Sequence, residues 1–409
     1  MKKSGKKHIL VVCQHYWPEP FPIEDYCEEL ARRGHTVSVI TGVPNYPMGE
    51  IYNEYRNKKG RDQIHNGVTI HRTLTIPRKH NILFRMLNYY SFAISSSLYA
   101  LKLKEDYDVV LTVQSSPVMM TTAALKYAKK HGKKAVIYCM DLWPASLKAG
   151  GISENSIIYK YFNRVSRKLY CQADKIMVTS KLFKKYFSEN FGINDSKLIY
   201  MPQYADTFFE EMKSNKIFHK NKDSFNIVFA GNMGTAQSLP TILEAARILK
   251  SENINVTWHM VGNGSEYESS KKKAQEYMLD NVIFYGRKPK TDMPKYYSMA
   301  DAMLVTLFKD ELISYTLPAK VQSYMASGKP IIAAADGETP DIISQSECGL
   351  CAHSEDAKGL ADCVKKFINE NKYEEYSDNS RKFYFKHFSK ERFMNQLEKI
   401  LKDECEENI

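Results

Sequence analysis

Short apolar runs alternate with helix-length segments along almost the whole chain, and this alternation limits the fold more than any other feature. The runs are HILVVC, TVSVIT, VTIHRT, DVVLTV, KKAVIYC, KIMVTS and KLIYMP in the first half, and NIVFAG, NVTWHMVG, NVIFYG, AMLVTL and PIIAAA in the second. Such runs are typical of strands in open parallel sheets whose faces are covered by helices. The sequence therefore predicts an α/β protein.

The series of runs is interrupted once, by the polar and charged stretch from Gln203 to Ser224. With 409 residues, of which 43% are hydrophobic, the chain is long enough for two domain-sized cores. We predict one Rossmann-like domain over residues 1–204 and a second over residues 205–386. We expect them to face each other across a cleft at the carboxyl ends of both sets of strands, where α/β proteins bind ligands.

The N-terminus and the cysteines indicate the cellular setting. MKKSGKKHILVVC is basic and then apolar, as in a signal peptide, but the apolar part is short and no small-residue cleavage site follows. We interpret it as the first strand of a cytoplasmic protein, and we expect the eight scattered cysteines to be reduced. Cys348 and Cys351 form a CxxC pair that we interpret as a core turn around Gly349, because no second CxxC or His pair accompanies it.

The net charge of +11 indicates an anionic partner. The lysines are dispersed and no nucleic-acid motif is present, so we expect no nucleic-acid partner. An anionic membrane surface or a diphosphate substrate would suit the charge. The apolar and aromatic segment from Arg78 to Lys104 has basic residues at both ends, and polar residues interrupt it too often for a spanning helix. It is either an amphipathic helix that touches lipid or a core helix pair of the first domain.

Glycine turns follow three strands of the second half. They are Gly231-Asn232-Met233-Gly234 after NIVFA, Gly262-Asn263-Gly264 after WHMV, and Gly286-Arg287 after NVIFY. The first strand of the chain is not followed by GxGxxG, and the chain contains no GxxxxGK(S/T), so neither bound NAD nor a P-loop is expected. The turns are suited to holding a mononucleotide and its phosphates through backbone amides.

The segment from Leu317 to Glu338, LPAKVQSYMASGKPIIAAADGE, predicts a loop, a helix that begins near Pro318 and ends at Gly328, and a buried strand. The first turn of that helix would offer unpaired N–H groups and a positive dipole end to an anion, with Lys320 alongside. The alternative is that the segment is only one αβ unit of the core.

The order GNMGTAQSL, VGNG, FYGR, LPAKVQSYMASGKPIIAAADGE resembles the nucleotide-sugar half of the GT-B fold retaining glycosyltransferases of family four. In the first half, HYWPEP, ELARRGHTVSVITGVPNYPMG and MDLWPASL resemble the subgroup that builds bacterial O-antigen and capsule repeats and includes fucosaminyltransferase-like proteins. The resemblance covers nearly the whole chain. It implies a GT-B fold and transfer, with retention, from a UDP-sugar to a polyprenyl-diphosphate-linked saccharide. An N-acetylated 6-deoxy sugar is one candidate for the sugar that is transferred.

The resemblance also implies donor-binding residues. Gly231, Asn232 and Gly234 would form the diphosphate loop, and Gly286 and Arg287 would lie by the base. The residues under the distal phosphate and the sugar would be Ser314, Tyr315, Thr316, Leu317 and Lys320. The predicted donor set also includes Gln237, Gly262 and Ser323. Many family members carry two glutamates separated by seven residues, where this chain has Tyr315 and Ser323. Sugar binding would then depend on Ser314, Tyr315 or Thr316, and ribose binding on Ser323 or Gln322.

Three residues are candidates for catalysis: Asp141, His15 and Lys320. Asp141 would point into the cleft or cap a helix N-terminus, and His15 would meet a phosphate or the acceptor, or pack on Trp17. Lys320 and the helix dipole would replace a divalent cation, because no DxD-like site is present, and we expect a metal-independent enzyme without a cofactor. The acceptor side is assigned to Tyr16, Glu19, Asn45, Tyr46 and Trp143.

Two other functions share this architecture. A nucleotide-sugar epimerase would need several acid-base side chains around the sugar, and the missing glutamates count against it. A non-catalytic GT-B scaffold would bind a ligand without turnover. The C-terminal segment, residues 387–409, has an apolar stripe on a closing helix, and by resemblance this helix packs back on the first domain. We expect the protein to be peripheral at the inner face of the cell membrane.

Overall fold

The computed structural model describes residues 5–78, 82–212 and 223–406, so part of the predicted linker and the residues Lys79 and His80 lie outside the described residues. The chain divides into two compact units. Unit 1 comprises Met1–Thr179, Phe183–Met201 and Met394–Ile409, and unit 2 comprises Ser180–Leu182 and Pro202–Phe393. These bounds differ from the predicted domain limits at residues 180–182, 202–204 and 387–393.

Unit 1 contains an eight-stranded sheet. In chain order its strands are β1 (His8–Val12), β2 (Thr36–Gly42), β3 (Asp62–His65), β4 (Val68–Thr73), β5 (Val109–Gln114), β6 (Lys134–Cys139), β7 (Lys175–Val178) and β8 (Leu198–Tyr200). The order across the sheet is β3-β4-β2-β1-β5-β6-β7-β8, and only β3 is antiparallel to its neighbour. The sequence pattern missed β3, because this edge strand, DQIH, is short and mostly polar.

Unit 2 contains a six-stranded, fully parallel sheet. Its strands are β9 (Phe225–Ala230), β10 (Val256–Val261), β11 (Val282–Gly286), β12 (Ala302–Thr306), β13 (Ile331–Ala334) and β14 (Gly349–Ala352), in the order β11-β10-β9-β12-β13-β14. The predicted core turn around Gly349 is wrong, because Gly349 begins β14. A Cβ atom at Gly349 would lie 1.8 Å from the carbonyl oxygen of Ile331, so a residue without a side chain lets the two backbones pair.

The helices, in chain order, are α1 (Ile23–Arg32), α2 (Ile82–Lys102), α3 (Thr122–His131), α4 (Ile157–Tyr170), α5 (Lys181–Phe191), α6 (Thr207–Glu210), α7 (Leu239–Ser251), α8 (Tyr267–Glu276), α9 (Met293–Met299), α10 (Glu311–Ser314), α11 (Ala319–Ala326), α12 (Glu338–Ser346), α13 (Ala357–Glu370), α14 (Tyr373–His387) and α15 (Lys390–Glu406). The predicted helix pair after Arg78 is one helix, α2. In the part of the chain that the structure describes, no helix is long and apolar enough to cross a membrane. The prediction of two parallel-sheet α/β domains is confirmed.

The side chains of β9 alternate between the two faces of the sheet in unit 2. Ile227 and Phe229 pack into the core on one face of the sheet, and Val228 and Ala230 pack into the core on the other. Both faces are therefore covered by apolar contacts. A ligand can therefore reach polar backbone groups only at the ends of the strands, and the glycine turns lie at the carboxyl ends.

Candidate functional site

Three glycine turns form a continuous row at the carboxyl ends of β9, β10 and β11. The φ angles of Gly231, Gly262 and Gly286 are 147°, 143° and 69°, which favour glycine. The Gly231 N–H donates to the Val261 carbonyl oxygen at 2.9 Å, and the Gly262 N–H donates to the Gly286 carbonyl oxygen at 3.0 Å. A Cβ atom at Gly262 would lie 1.8 Å from the Gly231 carbonyl oxygen. Bare backbone is therefore a steric requirement of this edge.

The loop after β9 is fixed to the next turn by its backbone. The Met233 N–H donates to the Asn263 carbonyl oxygen at 2.9 Å. At Gly234, a Cβ atom would lie 2.8 Å from Nδ2 of Asn232. The loop then enters a short 3-10 helix, Thr235–Gln237, whose Gln237 side chain turns toward α11. Gly231, Asn232, Gly234 and Gln237 thus follow one another around a single turn, and their contact with a diphosphate stays a prediction.

Lys320, on α11, places its ammonium group over the end of β9. Its Nζ donates to Oε1 of Gln237 at 2.5 Å and lies 4.1 Å from the centre of the Phe229 ring. A Cβ atom at Gly231 would lie 3.3 Å from that Nζ. Burial lowers the pKa of Lys320 to about 7, since a cation loses hydration there. Among the described residues no carboxylate pairs with it, so the position suits an anionic ligand.

Tyr324 supports the same strand end, and sequence reasoning missed it. Its hydroxyl accepts from the Ala230 N–H at 3.1 Å and donates to the Ala230 carbonyl oxygen at 3.0 Å. Tyr324 follows Lys320 by four residues, and residues at that spacing lie on one face of a helix. This spacing was the available signal that one face of α11 meets the end of β9.

The segment that precedes α11 places a carboxylate beside the side chain of Tyr315, the residue that stands in place of the first family glutamate. Asp310 caps α10 by accepting from the backbone of Leu312 and Ile313. The Tyr315 hydroxyl donates to Oε1 of Glu311 at 2.7 Å. A Cβ atom at Gly337 would lie 2.0 Å from the Ser314 carbonyl oxygen, so the turn after β13 packs closely on this segment.

The other predicted donor residues are placed less tightly. Thr316 is exposed, whereas Leu317 is buried and its side chain belongs to the core. The Ser323 hydroxyl donates to the Ala319 carbonyl oxygen of its own helix at 3.3 Å. Arg287 is exposed and makes no hydrogen bond or ion pair with the residues the structure describes. Their contacts to a ribose or a base stay predictions.

In unit 1, His15 and Glu19 form a buried pair. Nδ1 of His15 lies 2.9 Å from Oε2 of Glu19, and the two side chains are only 5% and 1% exposed. The other carboxylate oxygen of Glu19 accepts from the backbone N–H groups of Asn45 and Tyr46 at 2.8 and 2.6 Å. The alternative that His15 packs on Trp17 is wrong, because His15 stacks on Phe21 with the ring centres 4.8 Å apart.

Two predicted acceptor-side residues lie in the core. The Tyr16 side chain is buried, and burial raises the pKa of its phenol well above the usual range. Trp143 is also buried, its indole N–H donates to the Ser116 hydroxyl at 2.6 Å, and its ring packs edge-on against Phe162. Since both rings are needed to fill the core of unit 1, neither has a surface for a saccharide in this structure. Asn45 is also buried, at 1% exposed, and its Nδ2 donates to the Val43 carbonyl oxygen at 2.8 Å, whereas Tyr46 is 37% exposed.

Asp141 lies after β6 and does not cap the following 3-10 helix, Ala145–Gly150. Burial raises the pKa of Asp141 to about 6, and the polar groups of Ser146, Ser116 and Trp143 partly offset that rise. A carboxyl group with such a pKa changes its charge near neutral pH, which is common at functional sites and also occurs in structural networks.

Arg72 is a further residue that sequence reasoning missed. This buried side chain of β4 donates to the Trp17 carbonyl oxygen at 2.7 Å and to Oε1 of Gln63 at 2.8 Å. Its guanidinium lies 4.7 Å from the centre of the Tyr55 ring. Arg72 therefore holds the HYWPEP loop, which carries His15, against the edge of the sheet. The available signal was an arginine in a strand, VTIHRT, whose Val68 and Ile70 alternate toward the core.

Comparisons with known proteins give matches for both halves of the chain. Residues 23–207 match the family model Glycosyltransferase Family 4, and residues 210–383 match the model Glycosyl transferases group 1. The putative colanic acid biosynthesis glycosyl transferase WcaI of Escherichia coli (strain K12) is 26% identical over 378 residues, which are 87% of this chain and 88% of that protein.

Two solved structures share the fold. Sucrose-phosphate synthase from Thermosynechococcus elongatus has a TM-score of 0.73 at 17% identity, over 97% of this chain and 99% of that chain. The Anabaena protein HepE, solved in complex with UDP and glucose, has a TM-score of 0.66 at 13% identity, over 97% and 99% of the two chains.

Proposed function

Since this chain is a glycosyltransferase of the GT-B class, with a family 4 and a group 1 domain, we propose that it transfers a sugar from a UDP-sugar to a lipid-linked saccharide during synthesis of a bacterial surface polysaccharide. The name of the Escherichia coli relative, a putative colanic acid biosynthesis enzyme, supports the polysaccharide context. The complex of HepE with UDP and glucose supports the choice of UDP.

The observation that carries the proposal is the Lys320 ammonium beside the glycine turn of Gly231. When the bond between the sugar and the diphosphate breaks, negative charge collects on the departing UDP. A fixed cation and the positive end of the α11 dipole stabilise that charge as it develops. Attack of the acceptor hydroxyl from the same side would give retention, with the donor phosphate taking the proton of that hydroxyl.

We propose that the reaction needs no metal ion. Within the described ranges, the only group of three side chains spaced to hold a metal is Glu24, Glu28 and His65, in unit 1. No such group lies beside Lys320 in the described part of unit 2. We propose that Lys320 and the helix dipole stabilise the diphosphate instead. Addition of EDTA tests this directly.

The proposed acceptor is a saccharide linked to a polyprenyl diphosphate, and two helices of unit 1 support a contact with the membrane. On α2, Ile94 is 59% exposed and lies in one stripe with Leu87 and Leu98. On α4, Ile157 is 86% exposed, and the Tyr161 hydroxyl lies 3.2 Å from that of Tyr90 on α2. Lys160, Arg164, Arg167 and Lys168 are exposed on α4. We propose that this surface docks on anionic lipid at the inner face of the cell membrane.

Nucleotide titration tests the donor. Thermal shift and calorimetry with UDP, GDP, ADP and NAD, each with magnesium or EDTA, should show selective and magnesium-independent binding of UDP. Lys320→Ala should weaken UDP binding about 10- to 100-fold, as expected when a charged hydrogen bond is lost. Lys271→Ala, at an exposed position of α8, is the control and should bind normally. Selective binding of NAD, or no binding of UDP, would reject the proposal.

Vesicle flotation tests the membrane contact. The protein should float with vesicles that contain phosphatidylglycerol and remain free with vesicles of phosphatidylcholine alone. Replacing Leu87, Ile94 and Leu98 by serine should abolish flotation, because the apolar stripe is lost. Met278→Ser changes an exposed apolar residue of unit 2 and should leave flotation intact. Equal flotation of both variants would show that α2 is not the docking surface.

A further inference from the structure

Glu19 holds an unusual position for a loop carboxylate, because both of its oxygens are committed inside the protein. Oε1 accepts from the two consecutive N–H groups of Asn45 and Tyr46, and Oε2 faces Nδ1 of His15 at 2.9 Å. An ionised carboxylate only accepts hydrogen bonds. The Glu19 side chain is also only 1% exposed, so a substrate hydroxyl does not reach it, and its assignment as a direct acceptor ligand does not fit this geometry.

The pairing has a consequence for His15. A neutral imidazole carries its proton on one nitrogen, and the hydrogen bond made by that nitrogen decides which one it is. Because Nδ1 of His15 must donate to Glu19, Nε2 becomes a hydrogen-bond acceptor. Nε2 has no hydrogen-bond partner among the described residues. Either solvent water or the hydroxyl group of a ligand can donate to such an atom.

Aromatic rings stand beside this acceptor atom. Phe21 stacks on His15 at 9° between the ring planes, and Tyr46 lies 5.7 Å from His15 and 5.2 Å from Phe21. Tyr46 is 37% exposed, and its position is fixed by the same Glu19 oxygen that accepts its N–H. Aromatic walls with a few fixed polar atoms are typical of small-ligand sites.

We infer that Glu19 is a positioning residue that fixes the tautomer of His15, so that Nε2 accepts a hydrogen bond from a hydroxyl of the acceptor saccharide while a sugar ring packs against Phe21 and Tyr46. The inference rests on the proposed function, because it supplies the acceptor side of that reaction. It involves no covalent step at His15. The ligand is a neutral pyranose ring that carries a free hydroxyl.

The variant Glu19→Gln separates this role from a purely structural one. The glutamine oxygen can still accept from Asn45 and Tyr46, but its NH₂ group donates to Nδ1 and moves the histidine proton to Nε2. The probes are the octyl glycosides of glucose, galactose, N-acetylglucosamine and fucose. We expect at least one probe to shift the ¹⁵N resonance of the His15 Nε2 in the wild-type protein. Glu19→Gln should bind that glycoside about tenfold or more weakly, since one hydrogen bond is lost.

Asp62→Asn is the matched control, because Asp62 is paired with His71 at 2.7 Å and the substitution removes the same charge from another His–carboxylate pair. It should bind the glycoside as the wild type does. In a His15→Phe background, Glu19→Gln should have no additional effect, because Glu19 acts through His15. Phe21→Leu, which keeps the pair, should also weaken glycoside binding.

Three outcomes would overturn the inference: no glycoside shifts the His15 resonance, the proton of His15 lies on Nε2 in the wild type, or Glu19→Gln binds glycoside normally. Titration of the same samples with UDP keeps the proposed function separate. If UDP does not bind, the donor assignment fails whatever happens at His15. If UDP binds and His15 does not respond, only the acceptor inference fails.

Discussion

The two candidate sites differ in the groups that form them: mainly backbone in unit 2 and side chains in unit 1. In unit 2 the strands end in glycine turns that are joined by backbone hydrogen bonds. The ammonium group of Lys320 lies over these turns and pairs with no carboxylate of the described residues. In unit 1 the loop after β1 is built from side chains, and His15 and Glu19 satisfy each other in a buried pair. The first arrangement suits an anion, whereas the second suits a neutral, hydroxyl-bearing ligand. Charge balance therefore distinguishes the proposed donor site from the proposed acceptor site.

The largest predicted effect comes from the backbone of unit 2. Gly262→Ala would place a Cβ atom 1.8 Å from the Gly231 carbonyl oxygen at a φ of 143°, so β9 and β10 cannot both keep their positions. We expect a loss of about 3 kcal/mol or more in the free energy of unfolding, together with the loss of UDP binding. Thermal unfolding and calorimetry measure the two effects.

Gly192→Ala is the control in unit 1. Gly192 has a φ of 66°, and a Cβ atom there would meet nothing within 4 Å. Only the strain of the left-handed conformation remains, which costs about 1 kcal/mol. If Gly262→Ala bound UDP with unchanged affinity, the glycine row would not form the donor site.

The same contrast explains what the sequence could predict. Glycine turns after apolar strands are local signals, so the row of Gly231, Gly262 and Gly286 and the parallel sheets could be predicted from spacing. The hydrogen bonds of Tyr324 to Ala230 and of Lys320 to Gln237 join residues more than eighty positions apart, and no local pattern encodes them. His15 and Glu19 are only four residues apart, but their pairing depends on the turn of the loop between them, so they were predicted as separate polar residues.

The limit of prediction from the sequence is clearest in unit 1. Tyr16 and Trp143 stand next to polar loop residues in the sequence, which favoured a surface role. The structure buries both rings, because the residues that follow a strand can point back into the core as well as outward. Conversely, β14 was missed because the segment Cys-Gly-Leu-Cys is typical of a turn. In the structure, Gly349 allows close pairing of β14 with β13.

A second prediction uses the charge of Lys320. In the free protein its pKa is lowered to about 7, and a bound diphosphate favours the protonated form and raises the pKa. UDP affinity should therefore fall as the pH rises above about 7, approaching a tenfold loss per pH unit until the pKa of the bound state is reached. Calorimetry between pH 7 and pH 9 measures it, and over this range the terminal phosphate of UDP is about nine-tenths ionised or more. Lys320→Met should bind UDP weakly and with little dependence on pH.

The smallest predicted effect concerns Asp141 in unit 1. Its folded-state pKa is raised from 3.8 to about 6, so the folded state disfavours the charged form, and stability is lost as the pH rises from about 4 to about 6. Asp141→Asn removes that cost. We expect it to stabilise the protein by about 1–2 kcal/mol at pH 7.5 and by much less at pH 4, as seen in thermal unfolding at the two pH values.

Asp403→Asn, at an exposed position of α15, is the control for Asp141→Asn and should change little at either pH.

The comparison of stability with turnover also separates two roles for Asp141. If Asp141→Asn is more stable at pH 7.5 and still transfers sugar normally, its charge is a tolerated feature of the core of unit 1. If the gain in stability comes with a loss of turnover but unchanged UDP binding, the ionised carboxylate is kept at a cost in stability because it acts on the acceptor side. A variant that is less stable at pH 7.5 would show that hydrogen bonds to Asp141 outweigh its desolvation.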